Sequence, residues 1–174
     1  HVARHGKVVA TRFFQWPDGT TKDFFVWGGT KVPTIFLPVT ADGQVIVTRQ
    51  FRWGANAIII EVPGGNPKNN EDFIEVVRSE LLEETGYEAG EIFQTGPLIW
   101  FDPASCTTPW RPALVTGCRK VGEPTPDTSE LIEVVTFPLD EWVKMVMTGQ
   151  VNDSKSICVT VFALPHLWCR FTWR

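Results

Sequence analysis

Residues 64–87 read GGNPKNNEDFIEVVRSELLEETGY, a paired-glycine turn followed by the most helix-like stretch of the chain. The segment predicts a helix over Glu71–Thr85, with Asn70 as its cap and Glu71 and Asp72 at its electropositive start. Phe73, Ile74, Val77 and Leu81 recur at helical spacing and define an apolar face. Gly86 stands where a left-handed residue would end the helix. At ~100° per residue, with Glu80 at zero, Glu84 falls near ~40° and Glu83 near ~−60°, while the apolar residues span roughly 20° to 120°. The three carboxylates therefore share one sector beside the buried face. Like charges three and four residues apart repel, at about 0.2–0.5 kcal/mol per pair. A hard divalent cation such as Mg2+ or Mn2+ would reverse that cost. A solvated acidic helix face has the same pattern, and charge alone does not separate the two.

The segment also dominates the electrostatics of the whole chain. The 174 residues carry 16 bases and 20 acids, a formal net charge of −4. Between Glu61 and Glu91 lie nine acids and two bases, a local net of −7, so the remainder is +3. A net acidic chain of this kind is not one that coats duplex nucleic acid. The length is that of one domain with room for a small appendage, large enough to bury a core without disulfides or a structural metal.

Upstream, Val8–Gln15 and Lys22–Trp27 flank Pro17-Asp18-Gly19 and read as a hairpin. Thr34–Val39 and Val45–Thr48 flank Ala41-Asp42-Gly43 and read as a second. Ala57–Val62 reads as a short buried strand running into Pro63-Gly64-Gly65. Downstream, Ile92–Phe101, Ala113–Val121 and Leu131–Phe137 read as strands, and Asp140–Met147 as a helix closed by Gly149. Ser156–Leu164 stays open between strand, from its β-branched content, and a closing helix. Without regular βαβ alternation the chain is expected to be α+β.

The longest uncharged run, Ser156–Cys169, is 14 residues and is broken by Pro165, too short for a membrane span. No basic-plus-apolar leader opens the chain. Cys106, Cys118, Cys158 and Cys169 lack metal-type spacing and read as reduced thiols of a cytoplasmic protein. His1, His5 and His166 do not cluster. Most of the eight tryptophans are expected to fill core or interface space.

The spacing Gly65, five residues, Glu71, seven residues, Ser79-Glu80-Leu81-Leu82-Glu83-Glu84-Thr85-Gly86-Tyr87 resembles the Nudix box, matching eight of its nine specified positions. The departure is Ser79, where the family has an Arg that orients the metal-binding carboxylates. Arg78 is adjacent but rotated by ~100°, which leaves Arg52, Arg111 or Lys68 to supply a charge from elsewhere. Val47–Arg52 and Glu61-Val62-Pro63-Gly64-Gly65 resemble the branch that cleaves ADP-ribose and other nucleoside diphosphate sugars. Pro103, 16 residues after Tyr87, is one beyond that branch's usual proline position. Asp127–Glu133 resembles its acidic loop, and Pro138–Trp142 its helix start.

The resemblance implies an α/β/α sandwich with a mixed sheet over residues 31–174. Residues 1–30 would form an N-terminal β extension that joins two copies as a homodimer. It implies Mg2+, with Mn2+ as an alternative, held by Glu80, Glu84 and the Gly64 carbonyl, with Glu83 at a second ion. Glu130 would orient or deprotonate the attacking water, with Asp127 as understudy and Glu83 nearby. Arg52 would contact the diphosphate, Glu61 would hold a ribose or brace the loop, and Pro103 would border the pocket. The partner is then a small nucleoside diphosphate derivative, not a nucleic acid or a membrane. Dinucleoside polyphosphates, coenzyme A and capped nucleotides are alternative substrates within the family. A catalytically attenuated nucleotide-binding module is the alternative that Ser79 raises.

Overall fold

The computed structural model describes residues 2–4, 7–125 and 131–168. Three N-terminal strands, β1 (Val2–Arg4), β2 (Lys7–Gln15) and β3 (Thr21–Gly29), form a separate antiparallel sheet. The main body contains β4 (Thr34–Thr40), β5 (Gln44–Arg52), β6 (Ala57–Glu61), β7 (Gly64–Gly65), α1 (Phe73–Thr85), β8 (Tyr87–Glu88) and β9 (Glu91–Gln94). It continues through β10 (Ile99–Trp100), β11 (Pro109–Lys120), β12 (Ile132–Pro138), α2 (Leu139–Met147) and α3 (Ser154–Trp168). Its sheet runs β10-β11-β4-β5-β12, with β6 on β5, β7 on β4, and β8 and β9 on β11. The β11–β4 pair is parallel and the other pairs are antiparallel, so the sheet is mixed.

Strand periodicity divides the core in two. On β4, Ile35, Leu37 and Val39 face one way and Phe36 the other, as the two-residue side-chain repeat requires. The first set packs with Trp110, Leu114, Trp142, Val159, Ala163 and Leu167 beneath α2 and α3. Phe36 packs with Ile46, Val77, Leu81, Ala113 and Val115 beneath α1. Trp142 is fully buried, and its indole N–H is satisfied by Thr160 Oγ1 at 2.9 Å. The sheet splits between β4 and β5. They pair only at Val39↔Val45, while β4 pairs β7 at Thr34 and Ile35. Pro38, which has no N–H to donate, stands where β4 passes from one partner to the other. The split admits the Pro63–Gly65 turn to the middle of the sheet.

Several elements differ from the sequence reading. Helix α1 begins at Phe73, and its cap is Asp72 rather than Asn70. Asp72 accepts from the Ile74 and Glu75 amides, while Glu75 accepts from the Asp72 amide, a reciprocal box that Asn70 cannot form. Ile74 is exposed and Val76 takes its place in the buried face. The predicted strand Ile92–Phe101 is two strands, broken at residues 95–98, where Gly96 and Pro97 interrupt it. Ala57–Glu61 is a strand, but Ile58 is exposed because β6 lies at the sheet edge.

The ambiguous Ser156–Leu164 segment is helical, started by Asp153, whose Oδ2 accepts from the Ser156 amide at 2.9 Å. Pro165 lies inside that helix. The carbonyl it leaves unbonded belongs to Val161, on the exposed face. Of the six tryptophans whose side chains are described, Trp110 and Trp142 are buried and Trp27 is half-buried, filling core space as expected, while Trp16, Trp53 and Trp100 are exposed on this chain.

Gly86 caps α1 at φ 72°, and its amide donates to the Leu82 carbonyl. The Val121 and Gly122 amides both donate to the Gly86 carbonyl, drawing that chain so close that a Cβ would lie 2.9 Å from the Gly122 carbonyl carbon. Gly86→Ala is therefore expected to lower stability by about 1–2 kcal/mol from the left-handed backbone alone, and further from the clash. Urea unfolding of the two proteins measures it.

Candidate active site

Helix α1 presents its acidic residues to the turn that enters through the sheet split. Glu84 is buried, and its Oε2 accepts from the Gly64 amide at 3.3 Å. Glu80 lies against Gly65 so closely that a Cβ there would be 2.6 Å from Oε2 and nearer to the rest of the carboxylate. Glu83, on the outer side, pairs with Lys68 Nζ at 2.5 Å. Among the described residues, no three His, Cys, Asp or Glu side chains form a ready-made metal cage. What the fold supplies is an all-oxygen donor set on a glycine cradle. That is the donor chemistry Mg2+ or Mn2+ prefers, and the bare Gly65 backbone leaves Glu80 space that a side chain would fill.

The turn itself is braced from below. The Val62 amide donates to Ser156 Oγ at 3.0 Å, and Ser156 Oγ donates to Asp153 Oδ2 at 2.8 Å. The start of α3 thus holds the residue that precedes Pro63-Gly64-Gly65. Glu61 is buried, with Arg52 Nε on Oε1 at 2.6 Å and Lys155 Nζ 3.6 Å from Oε2. Arg52 is half-exposed, so this pair joins a buried anion to a cation that reaches solvent. Lys155, Asp153 and Ser156 were not among the residues singled out from sequence. Ser156 is 94 positions from Val62, and no local spacing announces the bond.

The other sequence candidates fall in different places. Arg111 stacks over Phe73, with its guanidinium 5.1 Å from the ring centroid, and its buried Nε has no hydrogen-bond partner. It sits at the start of α1, away from the carboxylates in the last two turns. Arg78 is exposed. Pro103 lies in an exposed turn joined to β3: the Trp27 amide donates to the Ser105 carbonyl at 2.9 Å, and the Trp27 indole to Ser105 Oγ at 3.0 Å. Asp127 and Glu130 lie outside the described residues. The chain before them is anchored, because the Thr125 amide donates to the Glu83 carbonyl at 2.7 Å, and the chain after them enters β12 with Ile132 opposite Gln50.

The end of the helix is tuned by a base and by burial. Lys120 Nζ donates to the Thr85 carbonyl at 3.1 Å, compensating the negative end of α1, and sits 5.2 Å above the Tyr87 ring. Burial pushes the Cys118 thiol up to about 12, so no reactive thiolate lies behind the box. Burial, with Asp42 and Cys118 nearby, also raises Tyr87 and keeps it neutral.

The NUDIX domain family matches residues 30–157. An ADP-ribose pyrophosphatase of Bacillus subtilis (strain 168) is 28% identical over 136 residues, covering 75% of this chain and 69% of that protein. A GDP-mannose pyrophosphatase of Yersinia enterocolitica is 27% identical over 141 residues, covering 76% of this chain and 73% of that protein. A GDP-mannose pyrophosphatase of Escherichia coli (strain K12) is 30% identical over 132 residues, covering 71% and 68%. In fold, the crystal structure of an ADP compounds hydrolase superposes with a TM-score of 0.83 over 97% of this chain and 91% of that one, at 16% identity.

The cradle has a direct test. Gly65→Ala is expected to push the Glu80 carboxylate off the turn. Mn2+ is expected to raise the melting temperature of the wild type, and Gly65→Ala to lose most of that rise, with the metal-free melting temperature shifted by no more than about 3 °C. Differential scanning calorimetry with and without Mn2+ measures both.

Proposed function

The chain belongs to the NUDIX domain family, and from that premise we propose that it hydrolyses the diphosphate linkage of ADP-ribose or a related nucleoside diphosphate sugar. The products are a nucleoside monophosphate and a sugar phosphate. The observation that carries this reading is the pair of carboxylates on α1, Glu80 and Glu84, closed onto the Gly64–Gly65 turn. Relatives named for ADP-ribose and GDP-mannose pyrophosphatase activity support the substrate class.

In this proposal Glu80, Glu84 and the Gly64 carbonyl hold Mg2+, or Mn2+, and Glu83 serves a second ion. A divalent cation there supplies the positive charge that draws an anionic diphosphate to an acidic helix and polarises its phosphorus–oxygen bonds. Glu130 takes the proton of the attacking water, with Asp127 as understudy; the bond from the Thr125 amide to the Glu83 carbonyl, two residues before Asp127, supports this role. As the water oxygen bonds to phosphorus, the bridging phosphorus–oxygen bond breaks and the leaving phosphate takes up the proton. Arg52, fixed through Nε by Glu61, turns its half-exposed guanidinium to the diphosphate. Glu61 then acts by bracing Arg52, and Pro103 borders the substrate from the turn tied to β3.

A second reading follows from Ser79, whose hydroxyl donates to the Val76 carbonyl at 3.2 Å within its own helix. It gives the cluster no charge, and an attenuated, nucleotide-binding module is the consequence if nothing else does. Free thiols at Cys106, Cys118 and Cys158 suit a reducing cytoplasm. AMP release from ADP-ribose, or nucleoside monophosphate release from GDP-mannose, in the presence of Mg2+ tests the main reading. Glu84→Gln is expected to lose at least about 100-fold in kcat with its fold intact by circular dichroism. Binding of ADP-ribose by calorimetry without turnover would favour the second reading.

For the extension, residues 1–30, the proposed partner is a second copy of the chain. Phe13 and Phe25 are 72% and 61% exposed, and Phe14, Phe24 and Trp16 also reach solvent, an apolar load that the small three-stranded sheet does not bury by itself. Light scattering is expected to give about twice the 19.6 kDa chain mass, and Phe13→Asp with Phe25→Asp to return it to one.

A further inference from the structure

We propose that Lys68 is the positioning cation of the acidic cluster, a role filled from the turn before the helix because the helix itself has no base in the right place. The inference rests on the reading that Glu80, Glu83 and Glu84 hold a divalent cation. Residue 79 stands four positions before Glu83, where a long base would form an i,i+4 pair with it. Ser79 is too short, and its hydroxyl is engaged with Val76. The bases near the cluster are otherwise committed or remote. Arg52 is bound to Glu61, Arg111 is stacked on Phe73, and Arg78 is exposed on another side of the helix.

Lys68 reaches Glu83 Oε2 at 2.5 Å across 15 residues. It does so from a turn whose backbone is fixed. The Lys68 amide donates to Glu71 Oε2 at 2.5 Å, and the Glu71 amide returns a bond to the Lys68 carbonyl at 3.3 Å. Lys31 Nζ donates to the Pro67 carbonyl at 2.5 Å, and Asn69 completes the turn at φ 57°. A lysine on such a frame loses less freedom on pairing than one on a mobile loop. By holding Oε2 it fixes the rotamer of Glu83, leaves Oε1 for a cation, and removes one unit of repulsion from a helix face with three carboxylates. Lys68 acts through Glu83 and not on the substrate.

The test uses wild type, Lys68→Met, Lys68→Arg and the double variant Lys68→Met with Ser79→Arg. Mn2+ binding is measured by calorimetry without substrate, and Mg2+-dependent hydrolysis of ADP-ribose in parallel. Lys68→Met is expected to weaken Mn2+ binding about tenfold, as loss of a group supporting a metal ligand does, with unchanged circular dichroism. Lys68→Arg should stay within about threefold of wild type, and Ser79→Arg should restore the Met variant to a similar margin, because it returns a cation to Glu83 from position 79. Unchanged or tighter Mn2+ binding by Lys68→Met, or no rescue by Ser79→Arg, overturns the proposal. A wild type that binds Mn2+ and responds to these substitutions but hydrolyses no nucleoside diphosphate sugar overturns the pyrophosphatase reading and upholds the role of Lys68. A wild type that binds no Mn2+ overturns both.

Discussion

Three carboxylates on one face of one helix repel one another, and the surrounding fold counters that repulsion from several sides. Glu80, Glu83 and Glu84 occupy the last two turns of α1, where the helix dipole is negative and adds to the cost. Lys120 answers the dipole from β11, Lys68 answers Glu83 from the preceding turn, and the Gly64 amide answers Glu84. The Glu80 carboxylate lies close against the Gly65 backbone. The contacts at Gly64 and Gly65 need the Pro63–Gly65 turn to pass under the helix, and the turn can do so because β4 and β5 part after a single pair. The split in the sheet and the charge on the helix are therefore one design problem with one solution. Without the split, the carboxylates would face a closed β-ladder whose amides are already used.

What was legible in the sequence was local. The box helix, its glycine stop and both hairpins follow from spacings of a few residues, and the structure shows them within two residues of expectation except at the end of β5, which runs to Arg52, four residues past Thr48. The cap moved from Asn70 to Asp72 because the residue three positions on, Glu75, completes a reciprocal bond only with Asp72. Ser156–Leu164 was ambiguous because its Val, Ile and Thr content favours strand. Burial of Val159 and Ala163 against β4 and β11, with Asp153 as cap, decided for helix. Tertiary context overrode propensity there. Exposure of Trp16, Trp53 and Trp100 had no sequence signature, since an apolar ring carries no record of whether a neighbour will arrive to cover it.

For the site, the carboxylates were readable from helical angles, but their partners were not. Lys68, Arg52 and Arg111 were equal candidates for the missing charge on sequence, and only the fold separates them. One reaches Glu83, one is locked on Glu61 and one stacks on Phe73. Lys155 and Ser156 come from a helix more than ninety positions beyond the turn they support. Such bonds are fixed by topology, by which strands and helices end side by side, and no window along the chain contains them.

The acidic excess between Glu61 and Glu91 also changes meaning once its members are traced. Glu61 is neutralised inside the protein by Arg52 and Lys155. Glu71 closes the turn, Asp72 and Glu75 cap the helix, and Glu88 pairs with Arg119 across β8 and β11. Five of the nine acids thus do structural work. The charge seen by a ligand at the box comes from Glu80, Glu83 and Glu84, offset by Lys68, a formal −2. One divalent cation brings that to zero. With Arg52 at the end of β5, an anionic diphosphate bound as proposed would then meet no net repulsion. The same cluster without a cation would turn the diphosphate away. In the proposed mechanism, affinity for substrate is therefore tied to occupancy by metal through charge alone, before any geometry of catalysis is considered.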